Sequence, residues 1–166
     1  MSEKFCTSAI EKFRDLSGVF VLNLEGNKLF MYVKRFLEWI GLKERLHSKL
    51  SRAPYVNEGE IWWASIGENV GFEINGKSKF FTRPVVIFRK LTHSYYLVIP
   101  LTTKDRSGSW YVPIQQGGKK MAVCLQHVRS IDYRRLFSKL GELDDLDHDK
   151  VKEGFAKLYL KKIFPR

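Results

Sequence analysis

Arg83 stands directly before Pro84 at the head of the apolar run Val85-Val86-Ile87-Phe88, and Thr102 and Thr103 close the run Val98-Ile99-Pro100-Leu101. A guanidinium and paired hydroxyls are groups that grip phosphoryl oxygens. Proline fixes its own φ and biases its predecessor toward extended backbone, so Arg83 rides on a rigid strand entrance. The same arginine can equally cap loop carbonyls, and the threonines can equally belong to an ordinary turn. Lys104 and Arg106 follow at once and add positive charge. Glu73, Lys77 and Lys79 share a loop, residues 67–79, with Gly67, Gly71 and Gly76; Glu73 is either a proton acceptor or a solvated carboxylate. Gln126, Arg129 and Ser130 follow a further apolar run and either reach nucleotides or cap the next element. Trp62, Trp63 and Trp110 can stack bases, although strand alternation turns at least one of the adjacent pair inward.

Other chemistries find less support. His47, His93, His127 and His148 form no i,i+4 pair and no HxxEH pattern, and the chain has no CxxC, which argues against a zinc site. Gly76-Lys77-Ser78 is only the end of a phosphate-loop motif, so no nucleotide cofactor is expected. Cys124 and His127 could pair as nucleophile and base, but Cys124 falls in an apolar strand and reads as a buried, inert thiol. Cys6 and Cys124 are too few for a disulfide framework, which fits a cytoplasmic protein. No segment approaches the ~18 apolar residues of a membrane span. The formal net charge is +11, with ten basic and six acidic residues in 1–55, seven and five in 56–113, and twelve and seven in 114–166. An excess spread over a folded chain suits a polyanion such as nucleic acid, or simply a solubilising surface.

The elements that must position these groups fall into two textures. Residues 1–55 read as a helical extension. Ala9, Ile10, Phe13 and Leu16 recur at helical spacing up to Gly18, and residues 19–24 are a strand or an extended link. A second helical pattern runs through Phe30, Val33, Leu37 and Ile40, with Trp39 beside it. Gly41 weakens or ends that pattern, and 42–50 read as a further helical stretch. Residues 56–166 read as a second unit of short strands: 61–65, 85–88, 95–101, and a hairpin of 110–114 and 121–126 around Gly117-Gly118. Residues 131–140 read as a short helix. A last helix starts near Asp147, with an acidic start that suits the helix dipole and an inner stripe of Val151, Phe155 and Leu158. Together these predict a mainly β fold with helices: a small, strongly bent barrel with a C-terminal helix and an N-terminal helical extension.

In order, Gly59-Glu60-Ile61-Trp62, Gly71-Phe72-Glu73, Arg83-Pro84-Val85-Val86, Pro100-Leu101-Thr102-Thr103 and the segment from Gln126 to Asp132 resemble the MazF/PemK family of toxin ribonucleases across roughly residues 59–160. The piece from Trp39 to His47 is also similar to a helical extension that precedes the barrel in some members. The resemblance implies an SH3-like barrel of the CcdB/MazF type, usually a homodimer, restrained by a cognate antitoxin. It implies metal-independent cleavage of single-stranded RNA by 2′-hydroxyl attack, with no cofactor, giving 2′,3′-cyclic phosphate and 5′-hydroxyl ends. Carried over, Arg83 is the central catalytic residue, Thr102 holds the phosphate and Glu73 supports from the loop. Thr103, Lys104, Arg106, Lys77, Lys79, Gln126, His127 and Arg129 are the expected RNA contacts. An arginine is too basic to serve as general base, so Arg83 stabilises the transition state and Glu73 is the first candidate base.

The chain departs from the family pattern where Gln126 and His127 replace an acidic residue and Gln, which removes a carboxylate near the RNA path and places a group there that can titrate near neutrality. The loop of residues 71–82 is longer than in compact members and carries Phe80-Phe81. Two alternatives follow: a CcdB-like inhibitor of a protein target such as gyrase, or a nucleic-acid-binding barrel without catalysis.

Overall fold

A computed structural model describes residues 26–160, so the helical and strand patterns expected over residues 1–24 lie outside the described residues. The chain divides into two compact units, residues 1–35 and 36–166. Helix α1 spans Gly26–His47, followed by strands β1 (Glu60–Ser65), β2 (Thr82–Lys90), β3 (Tyr95–Thr102), β4 (Tyr111–Gln116), β5 (Lys119–Cys124), β6 (Arg129–Asp132) and β7 (Leu136–Glu142), and by helix α2 (Asp145–Tyr159).

The seven strands form one antiparallel, half-barrel sheet in the order β4-β5-β3-β2-β1-β7, with β6 also paired to β3. β3 is its spine. One edge pairs with β2, and the other pairs first with β6 (Tyr95 to Val98) and then with β5 (Leu101 and Thr102). A strand shared in this way forces the sheet to bend. The apolar run of β2 is continuous because both faces are covered. Val86 packs with Ile61, Ile99 and Leu101, while Val85 and Ile87 pack on the opposite side with Ala64, Val98 and Tyr96. Helix α2 covers the first face with Val151, Phe155 and Leu158, the expected stripe. Its N-cap is Asp144, whose side chain accepts from the Asp147 amide at 2.7 Å, and Asp147 in turn accepts from the Gln115 amide of β4 at 3.0 Å. The β4–β5 hairpin turns at Gly117 and Gly118, both at positive φ (54° and 72°), as a two-residue type I′ turn requires.

One open expectation is settled and another fails. Helix α1 continues through Gly41 to His47 as one helix. A mid-helix glycine costs only about 1 kcal/mol, and burial of Trp39 outweighs it. Residues 131–140 do not form an α-helix. Ile131 pairs with Tyr96, Leu136 pairs with Ala64, and a single turn of Tyr133–Arg135 joins the two strands, capped by the Asp132 carboxylate accepting from the Arg134 amide. Pairing with β1 and β3 overrides a local pattern compatible with either state.

Candidate active site

Strand pairing assembles the centre of the site. Val85 pairs with Pro100 and Val86 with Ile99, and this register carried two residues on sets Arg83 opposite Thr102. On its other side Arg83 pairs with Ala64 of β1, and Thr102 pairs with Ala122 of β5. Two groups distant in sequence therefore sit on strand ends that are each paired on both sides.

The Arg83 side chain is fixed by its own surroundings. Its Nε donates to the Asn75 carbonyl at 2.8 Å and an Nη to the Leu101 carbonyl at 3.5 Å. Burial lowers its pKa, yet a guanidinium remains charged across the working pH range. A preorganised cation with hydrogens left for a ligand is what a developing phosphoryl charge needs. The carbonyl-capping and phosphate-gripping readings of Arg83 are thus compatible: the carbonyls aim the group.

A cleft of about 210 Å³ opens beside it, lined by Lys77, Arg83, Thr102, Lys104, Arg106, Tyr111, Cys124, Gln126 and His127, with Phe72 and Ile74 at the loop side. A second cavity of about 370 Å³ shares Lys77, Arg83 and Thr102 and adds Thr103, Trp63 and Lys119. Seven of the expected side chains, Arg83, Thr102, Lys77, Lys104, Arg106, Gln126 and His127, thus meet in one cleft, and Thr103 lines the adjoining cavity. The others do not line either. Glu73 is exposed and accepts from the Val70 amide at 3.3 Å. Lys79 lies over the Phe80 ring at 5.1 Å, and Arg129 donates to the Ile66 carbonyl at 3.3 Å.

Burial first, and then the charges of Arg83 and Arg129, lower the pKa of His127, with Glu73 pulling the other way. The surroundings accordingly favour the neutral imidazole. Burial pushes the Cys124 thiol up to about 11 despite Arg83 and Arg106, so the cysteine is unreactive at neutral pH. Of the two adjacent tryptophans, Trp62 packs on the core and donates from Nε1 to Glu60 at 2.8 Å, while Trp63 faces the larger cavity. Among the described residues, no three His, Cys, Asp or Glu side chains group as a metal site would.

The sequence reading missed Asn75 and Tyr111. Asn75 holds Arg83 through its carbonyl, accepts from the Asn69 amide at 2.6 Å and donates to Glu68 at 3.1 Å. Asn75 and Gly76 are ordered by hydrogen bonds: the Asn75 side chain joins Asn69 and Glu68, and the Gly76 amide donates to the Gly67 carbonyl. Tyr111 enters the cleft as the first residue of β4, opposite Cys124.

No curated protein matches the sequence. Among solved structures, the fold is similar to that of MazF (form I) from Deinococcus radiodurans, at 20% identity over 65% of this chain and 97% of that one, with a TM-score of 0.53. It is also similar to an endoribonuclease in complex with its cognate antitoxin from a mycobacterial species, at 16% identity over 64% of this chain and 97% of that one, with a TM-score of 0.49. The family model described as the PemK-like, MazF-like toxin of type II toxin-antitoxin systems matches residues 57–159, a span that runs from before β1 to the end of α2. The chain belongs to the PemK-like, MazF-like toxins of type II toxin-antitoxin systems.

Proposed function

We propose that this toxin is a metal-independent endoribonuclease that cuts single-stranded RNA at specific sequences. The observation that carries the reading is the Arg83 guanidinium, aimed by two backbone carbonyls into a basic cleft beside Thr102. In this scheme a ribose 2′-oxygen attacks the adjacent phosphorus. A new P–O2′ bond forms and the P–O5′ bond breaks, leaving a 2′,3′-cyclic phosphate and a 5′-hydroxyl. Charge grows on the non-bridging oxygens, where Arg83 and the Thr102 hydroxyl donate hydrogen bonds. The 2′-proton needs an acceptor within reach of the cleft. His127, which lines the cleft in surroundings that favour its neutral form, serves this better than Glu73, which lies outside it. Arg83 is the adjacent donor for the departing 5′-oxygen.

Lys77, Lys104, Arg106 and Gln126 track the RNA backbone and bases, with Thr103 in the adjoining cavity and Lys79 and Arg129 as outlying charges. The partners in this reading are single-stranded RNA, a cognate antitoxin and a second copy of the chain, and the setting is the cytoplasm. No described helix is long and apolar enough to cross a membrane. The test is a cleavable oligoribonucleotide beside the same oligomer with one 2′-deoxyribose at the cut. Cleavage of the first alone, with cyclic-phosphate ends, is expected. Cleavage of both, or 5′-phosphate products, would overturn the proposed chemistry.

A further inference from the structure

Both ends of the loop that holds Arg83 rest on one side chain outside the family match. Trp39 of α1 is 6% exposed and belongs to neither apolar core cluster. Its indole packs against the Phe81 ring at 5.5 Å, and the Arg135 guanidinium lies over it at 5.3 Å while donating to the Ser65 carbonyl at 3.0 Å. At the other end of the loop, a Cβ built on Gly67 would lie 2.6 Å from the indole carbons, so backbone and ring are in direct contact.

Those two residues are where the loop departs and returns. Gly67 has φ +98° and Phe81 has φ +50°. A bulky residue holds a left-handed conformation only where its surroundings enforce it. The ends are laced together by Ile66 and Gly67 amides donating to the Phe81 carbonyl at 2.9 and 3.4 Å. The Gly76 amide donates to the Gly67 carbonyl at 2.8 Å, and a Cβ on Gly76 would fall 1.8 Å from the Phe81 carbonyl oxygen. Asn75, next in line, carries the carbonyl that takes Arg83 Nε. A continuous path of contacts therefore runs from Trp39 through Gly67 and Phe81 to Gly76, Asn75 and the guanidinium.

We propose that Trp39 is a positioning residue: its indole clamps both ends of the 67–81 loop and thereby sets the aim of Arg83. The inference rests on the ribonuclease reading for its catalytic consequence, but the clamp itself does not. Losing the indole frees the loop ends, and the Asn75 carbonyl no longer dwells against Arg83. Misplacement of a reacting group by about 1 Å costs up to ~10²-fold in rate, so a partial loss of aim lowers kcat about tenfold with KM within about twofold.

The experiment compares full-length wild type, Trp39→Ala and Trp39→Phe in two assays. One is hydrogen–deuterium exchange of loop amides, and the other is steady-state cleavage of a single-stranded RNA. In Trp39→Ala, amides of residues 67–80 are expected to exchange at least about fivefold faster while β3 and β5 keep wild-type protection. Trp39→Phe, which keeps an aromatic plug, should recover both exchange and kcat. Unchanged loop exchange in Trp39→Ala overturns the clamp, and faster exchange with wild-type kcat overturns the positioning role. Faster exchange with no cleavage by wild type upholds the clamp and sinks the ribonuclease reading instead. Should Trp39→Ala not fold, Trp39→Leu carries the same two readouts with the same expectation and the same refutations.

Discussion

Arg83 spends two of its N–H groups on carbonyls of its own chain, Asn75 and Leu101, before any ligand arrives. That arrangement lowers the reorganisation needed when a phosphate binds, and it places a permanent positive charge near His127. The charges of Arg83 and Arg129 and the burial of the ring all favour the neutral imidazole. If His127 takes the 2′-proton, cleavage falls on the acid side at a pH below the ordinary histidine value of 6.5. Arg129→Gln removes one repelling cation, so the His127 pKa and the acid limb of the pH–rate profile should both move upward. Titration of the His127 ring by NMR and the rate profile check this together. An unmoved limb with a moved ring pKa would remove His127 as the base. At this scale Pro84 and the strand ends flag Arg83 and Thr102 in the sequence, and the sheet brings the two to one cleft. The sequence sets Glu73 in the loop but not relative to the cleft, because a loop's path depends on contacts such as Asn69 with Asn75 that no spacing rule reveals.

At the scale of elements, α2 approaches β4 so closely that Gly154 has no room for a side chain. A Cβ there would lie 2.7 Å from Val112 Cγ2 and 3.2 Å from Leu125 Cδ1. Helix propensity alone favours Gly154→Ala by about 1 kcal/mol. Overpacking of a filled core costs about 1–3 kcal/mol, so the net change is a destabilisation of about 1 kcal/mol by chemical denaturation. The same substitution in a Val112→Ala background should be neutral or stabilising, since the obstructing methyl is gone. The β4–β5 hairpin and α2 are legible in the sequence because Gly117-Gly118 and the Asp-rich start of α2 act locally. Residues 131–140 are not, since their strand state comes from pairing with Tyr96 and Ala64, distant in the chain. The burial of Trp39 is illegible for the same reason: helical spacing sets it beside a stripe that includes Ile40, yet Trp39 is buried and Ile40 is exposed.

Over the whole molecule, two buried carboxylates, Glu60 and Asp147, tie its parts together. Burial favours the neutral form of Glu60, but hydrogen bonds from Trp62 Nε1 and Lys139 Nζ outweigh it and lower its pKa. Asp147 is likewise lowered, burial being overcome by Lys150 and the Gln115 amide. A carboxylate whose pKa is lower folded than unfolded stabilises the fold fully above the unfolded value and loses that contribution as pH falls through the folded one. Thermal stability should therefore hold at pH well above 4.5, the ordinary Glu60 value, and decline as pH falls below it. Glu60→Gln should flatten part of that decline, as melting curves across pH would show. The excess charge of +11 suits the proposed polyanionic substrate, and the paired ends of β2 and β3 are where that substrate would be cut. The most direct measurement is cleavage of a long single-stranded RNA in EDTA by the full chain and by Arg83→Ala, with both proteins shown to be folded. The account predicts cutting by the wild type and a loss of about 10²–10³-fold or more in the variant. Cutting by both at similar rates, or by the wild type only when a divalent metal is restored, would contradict it.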